Sequence, residues 1–196
     1  MKLPKNETHE FEIAPAGNHL AVCYMVVDLG TQTISWEGQQ KEQHKIQIAW
    51  ELPNERMGDG RPFIISNRYT FSTYDRAKFR QHLESWRGVP FQDSDFGEDG
   101  FDVKNIIGKG CLLNLIHNAK GDKTYCNIAS IAALPKGTAT PELENDSVYF
   151  DLQNPDHNVF DQLSEWLQET ISKSPEFKLL TAKAPADTDP NSEIPF

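Results

Sequence analysis

The residues best placed to do chemistry are cations and aromatic rings spread along extended segments, the equipment for holding a flexible polyanion. Lys41, Lys45, Arg56, Arg61, Arg68, Lys104, Lys109, Lys120 and Lys123 can pair with phosphates, and Tyr24, Trp36, Tyr69 and Tyr125 offer faces on which bases stack. Each ring has a plainer use as a packing residue, Trp50, Trp86 and Trp166 above all, because these three stand within apolar stripes. Lys45 points away from the side of Ile46 and Ile48. Arg68 and Tyr69 are adjacent in a strand-like run and so face opposite ways unless the strand is bulged. Arg76, Lys78, Arg80 and Arg87 could widen a basic face, but a solvated helix surface is the better explanation of them.

A second group lies at the C-terminus. Asp187, Asp189 and Glu193 precede Ile194, Pro195 and Phe196. An acidic leash with such a hook can dock as a short linear ligand: Phe196 fills an apolar pocket, its carboxylate meets an Arg or Lys, and the acids steer the encounter.

Enzymatic chemistry finds little to work with. The chain has no GxxxxGK[ST], HExxH or GxSxG, and its six histidines lack ligand spacing. Asp93, Asp95, Glu98 and Asp99 could hold Mg²⁺ as a nuclease does, but no basic or histidine partner accompanies them. Cys23, Cys111 and Cys126 sit in apolar strand-like runs, as buried free thiols do, and His117 beside them does not make a zinc knuckle. The expectation is a non-enzyme with no cofactor and no metal.

The net charge of −10 seems to oppose polyanion binding, but it is unevenly placed. Residues 1–135 hold 17 acids and 15 bases, whereas residues 136–196 hold 12 acids and 4 bases. The front of the chain is therefore nearly neutral and free to carry a local basic face. No apolar run is long enough to span a bilayer and the first ten residues lack a signal-peptide core, so the protein is expected in the cytoplasm, away from membranes.

These side chains need positioning elements. Period-two alternation predicts strands over 20–34, 41–52, 63–72, 110–119 and 123–134, with turns at Gly38 and at Lys120-Gly121-Asp122 and a bulge or bend at Gly30. On the first strand Ala21, Cys23, Met25, Val27 and Leu29 share one face. The apolar stripe Tyr74, Phe79, Leu83 and Trp86 predicts a helix over 74–88, started by Thr73 or Asp75 and stopped by Gly88. A second amphipathic helix is expected over 156–173, covering the strands or a second subunit. Five strands with a helix after the third predict a mainly β fold, a five-stranded OB-fold barrel with an inserted helix and an added C-terminal helix. The domains expected are an arm at 1–19, the OB fold at 20–135, a linker and helix at 136–178, and a disordered acidic tail at 179–196.

Two resemblances sharpen this. The tip, acids followed by Ile194-Pro195-Phe196, resembles the tails of bacterial single-stranded DNA-binding proteins, with fewer consecutive acids. The segments PFIISNRYTFS, LESWRGVPF, FDVKNIIGKGCLLNLIHN and KTYCNIASIAALPKG resemble OB-fold replication proteins of tailed phages, over roughly residues 20–178. The resemblances imply binding of single-stranded DNA in replication or recombination with little sequence preference. They also imply recruitment of replication or recombination proteins through the tail, and an infected bacterial host as the setting. Homo-oligomers are compatible with this. The rivals are an OB-fold interaction or virion-associated module that does not touch nucleic acid, and a metal-dependent nuclease.

Overall fold

The computed structural model describes residues 12–98 and 100–183, and the fold is mainly β. Six strands form one sheet: β1 (Gly17–Trp36), β2 (Gln39–Arg56), β3 (Pro62–Thr70), β4 (Gly110–Lys120), β5 (Lys123–Ala132) and β6 (Val148–Phe150). The spatial order is β3-β2-β1-β4-β5, all antiparallel, with the short β6 lying parallel to β1. β3 and β5 are left as edges without a ladder between them among the described residues, so the sheet is open. The β1–β2 turn uses Glu37 and Gly38, both at positive φ, which suits a two-residue hairpin.

Helix α1 (Lys78–Arg87) stands between the two edges. Phe79, Leu83 and Trp86 are its buried side chains. Toward β3, the Tyr69 hydroxyl lies 2.9 Å from His82 Nδ1. Toward β5, the Ser85 hydroxyl donates to the Ile131 carbonyl and the Ala133 N–H to the Ser85 carbonyl. Trp86 Nε1 donates to the Gly110 carbonyl at 2.8 Å. The helix begins later than the apolar stripe implied, because Asp75 pairs with Arg80 at 2.6 Å instead of capping. Gly88 ends it in the left-handed region, where a residue without Cβ is least strained.

β1 departs most from its expected pattern. Tyr24 is an extra residue between Cys23, opposite Trp50, and Met25, opposite Ala49. A bulge of one residue exchanges the faces beyond it. Ala21 and Cys23 therefore join the core shared with Trp50 and Trp86, while Met25, Val27 and Leu29 enter a second core on the other side. β2 is buried on both faces between Ile46 and Leu52, because a core lies on each side of it.

The covering of the second face comes from the C-terminal third. The single helix expected over 156–173 is three: α2 (His157–Gln162), α3 (Glu165–Ser172) and α4 (Pro175–Lys183). Leu163 leaves the helical region (ψ 154°) and is buried, Ser164 is extended before α3, and Pro175 prevents α3 from continuing. Leu163, Leu167 and Ile171 pack with Phe150 and Leu152 onto Met25, Val27 and Ala49. The helices thus cover the sheet of their own chain. The tail expected to start at 179 is helical to Lys183. Nearer β1's start, Glu51 is fully buried and its carboxylate accepts the Glu144 and Asn145 backbone N–H groups, both at 2.9 Å, fastening the strap that leads to β6. No helix among the described residues is long and apolar enough to cross a membrane.

Candidate nucleic-acid interface

Part of the second sheet face stays open, including the outer side of β3 and the first half of β2. Register places Arg68 opposite Gln47 and Thr70 opposite Lys45, so Arg68 and Lys45 project to the same side. The chain after β3 then carries Tyr74, Arg76 and Lys78 around this edge. Together they line a surface recess of about 360 Å³ whose walls include Lys45, Arg68, Tyr74, Arg76 and Lys78 and no carboxylate. Tyr74 is 67% exposed.

Among the described residues, none of these four cations forms a salt bridge, whereas other arginines do. Lys45 Nζ instead donates to neutral oxygens, Gln43 Oε1 at 2.6 Å and Thr70 Oγ1 at 2.8 Å. Burial, and then the nearby Arg68 charge, lowers the Lys45 pKa; burial lowers that of Arg68. Both shifts mark positive charge without a counter-ion, the state that an arriving phosphate relieves. On the far side of Arg68, the half-exposed Trp166 of α3 lies 4.2 Å from the guanidinium carbon, a cation–π contact. The edge therefore offers cations and two accessible rings, Tyr74 and Trp166, in one stretch of surface.

The residues expected from sequence divide unevenly. Lys45 and Arg68 come together in this recess. Tyr69 touches its wall but, only 3% exposed, packs edge-on toward the His82 ring and against Phe79, and it has no open face for a base. Tyr24 is half-buried at the bulge, its phenol pKa raised by burial and then by Glu51. Arg61 is committed to Asp59 at 2.6 Å and Arg56 to Glu144. Lys104 lies 5.1 Å from the Tyr149 ring, beside acidic residues. Lys109 is exposed just before β4, and Lys41 is exposed near the β1–β2 turn opposite Ile34. Lys120, Lys123 and the half-exposed Tyr125 occupy the β4–β5 hairpin end. Trp36 closes β1, and its side chain lies outside the described part. Asp187, Asp189, Glu193, Ile194, Pro195 and Phe196 also lie outside the described residues.

The apolar spacing puts Trp166 in a core stripe, but it is 44% exposed because α3 turns that side of the stripe outward. Arg76 and Lys78 fell to a generic helix surface; the late helix start puts Arg76 on the connecting segment. No periodic signal in the sequence distinguishes these three. Asp95 serves local structure: it accepts the Gln92 N–H at 2.8 Å and pairs with Arg87 at 3.5 Å. His117 contacts the Ala14 carbonyl at 2.8 Å, and burial pushes the Cys111 thiol pKa far up.

No protein-family model matches the sequence, and no curated protein matches it.

Proposed function

We propose that this chain binds single-stranded DNA, and that the outer edge of β2 and β3 is where it does so. The observation that carries the reading is the recess at Lys45, Arg68, Arg76 and Lys78, free of carboxylates and flanked by Tyr74 and Trp166. Phosphates pair with the unpartnered cations, and unstacked bases lie on the two rings; duplex DNA, with its bases stacked inside, cannot use the rings. Support for an OB-type fold comes from the strand order, with α1 inserted between β3 and β4 where the two sheet edges face each other. In such folds the strand 2–3 face is a common oligonucleotide site. A role in replication or recombination, with the Asp187–Phe196 tip recruiting partner proteins, rests on the resemblances and belongs to the same proposal.

The test is a tryptophan-fluorescence titration with oligo(dT) and with a matched duplex. Oligo(dT) is expected to quench and duplex to bind more weakly. The Lys45→Glu/Arg76→Glu variant is expected to weaken binding and to reduce the salt slope by about 2, roughly one per lost phosphate contact. The corresponding Lys120→Glu/Lys123→Glu variant tests the alternative of dispersed cations. Oligo(dT) that fails to bind, or binding untouched by the first variant, overturns the proposal and leaves the protein-interaction module in its place.

A further inference from the structure

A second recess has the opposite character. It opens on the inner side of the sheet, between the first half of β2, residues 97–98 and 100–103, and the chain leaving β6, with a volume of about 660 Å³. Its apolar part is Val26, Ile46, Phe101 and Phe150, joined by the rings of Phe71 and Tyr149. Around these stand Asp28, Glu98, Asp102 and Asp151, and no Lys or Arg lines it.

The four carboxylates lack a cationic side chain other than one imidazole. Asp28 lies 2.6 Å from His44 Nε2, Asp102 accepts the Lys104 backbone N–H at 2.8 Å, and Asp151 accepts the Gln153 N–H at 2.8 Å. Glu98 makes no hydrogen bond or ion pair among the described residues. Lys104 lies beside the recess, its ammonium 5.1 Å from the Tyr149 ring, and Glu176 stands behind His44 at 3.9 Å. Two titrating groups in the wall register the resulting negative potential. The Tyr149 phenol is pushed up to about 12 by burial and then by Asp151, Asp102 and Asp28; His44 is raised first by its hydrogen bond to Asp28.

We propose that this recess is a docking site for a cationic peptide segment of a partner protein, one that presents an aromatic or aliphatic anchor flanked by Lys or Arg. Charge complementarity selects the occupant. A ring of carboxylates with no Lys or Arg in the wall, balanced only by His44 at Asp28, repels nucleic acid and rewards ammonium or guanidinium groups, and Tyr149 and Phe101 add faces for them. The apolar part takes the anchor, which a simple polycation lacks. A volume of this size falls within the roughly 300–1,000 Å³ range of specific small pockets and admits a few side chains. The site is separate from the basic edge, so DNA and such a partner can be held together. This inference does not depend on DNA binding.

Calorimetry on the full chain with a capped Arg-Phe-Lys-Leu-Arg peptide tests it. The peptide is expected to bind, and the capped Glu-Phe-Asp-Leu-Glu counterpart is not. Asp102→Asn/Asp151→Asn keeps the local acceptors and should weaken binding about tenfold, as loss of two partly exposed charge pairs implies. Glu98→Lys, at an exposed position without partners, should weaken it further while leaving the thermal midpoint unchanged. Three results each overturn the proposal: no binding of the cationic peptide, equal affinity in the variants, or equal competition by a Lys-only peptide without an anchor. Oligo(dT) binding is measured on the same variants and is expected to be unchanged, which keeps the two proposals distinguishable.

Discussion

Arg68 of β3 lies over the indole of Trp166 in α3, guanidinium carbon to ring centre 4.2 Å. Through this contact a helix from the last third of the chain becomes part of the basic edge. Trp166→Ala is expected to weaken oligo(dT) binding by about 1–3 kcal/mol, the usual loss of one stacking ring. The ring is 44% exposed, so stability should change by no more than about 0.5 kcal/mol. Trp166→Phe keeps a stacking face and should bind well while losing most of the fluorescence quenching. Affinity unchanged in Trp166→Ala would exclude the ring from the site.

Gly30 is where the helices meet the sheet. It sits at φ +67°, and a Cβ there would come within 2.6 Å of Ser174 Cβ and 2.8 Å of Leu152 Cδ1. Gly30→Ala therefore combines left-handed strain with overpacking and should cost about 2–4 kcal/mol in urea unfolding. A loss below about 1 kcal/mol would mean that the 172–176 segment shifts freely away from β1.

Two histidines give stability opposite dependences on pH. The His44 pKa is raised, chiefly by its hydrogen bond to Asp28, so its contribution is complete below the ordinary value of about 6.5 and is lost as pH rises through the folded-state value. Burial lowers His82 to about 4, so its contribution is complete above about 6.5 and is lost as pH falls toward 4. His44→Gln should flatten the alkaline side of the stability profile and His82→Gln the limb between about 6.5 and 4. Urea unfolding from about pH 4 up through the raised His44 value reads both. The same slope in His44→Gln as in the parent would show that the Asp28 bond does not favour the protonated ring.

Glu51 holds the strap from inside the protein. Its carboxylate takes the N–H groups of Glu144 and Asn145, and the Asn145 side chain as well. Glu51→Ala leaves those donors without an acceptor and should cost about 2–4 kcal/mol. Hydrogen exchange at amides 144 and 145 should accelerate with it. Protection equal to that of the parent would show that another group replaces the carboxylate.

Much of the frame was legible from residue order. The alternation in IQIAWEL and in CLLNL, the turns at Gly38 and Gly121, and the Phe79–Leu83–Trp86 stripe each announce an element through local stereochemistry, and all five long strands and α1 lie close to where those signals put them. β6 did not announce itself, because three residues are too few to show a period. The broken C-terminal helix hid for a different reason: its apolar spacing continues across Leu163, whose turn into the core is set by what it packs on.

Residue order by itself determined a mainly β chain, the position of α1, and cations lying near Tyr and Trp rings, because side-chain alternation and glycine conformations are properties of neighbours along the chain. Tertiary structure alone decided which cations share a surface, since the bulge at Tyr24 exchanges the faces of β1 and the C-terminal helices close over β1 and Ala49 of β2 while leaving the first half of β2 open. Whether a ring is core or open depends on what covers it. Tyr69 went inside because α1 stands over it, whereas Trp166, with only the Arg68 guanidinium set against its ring, stayed half-exposed.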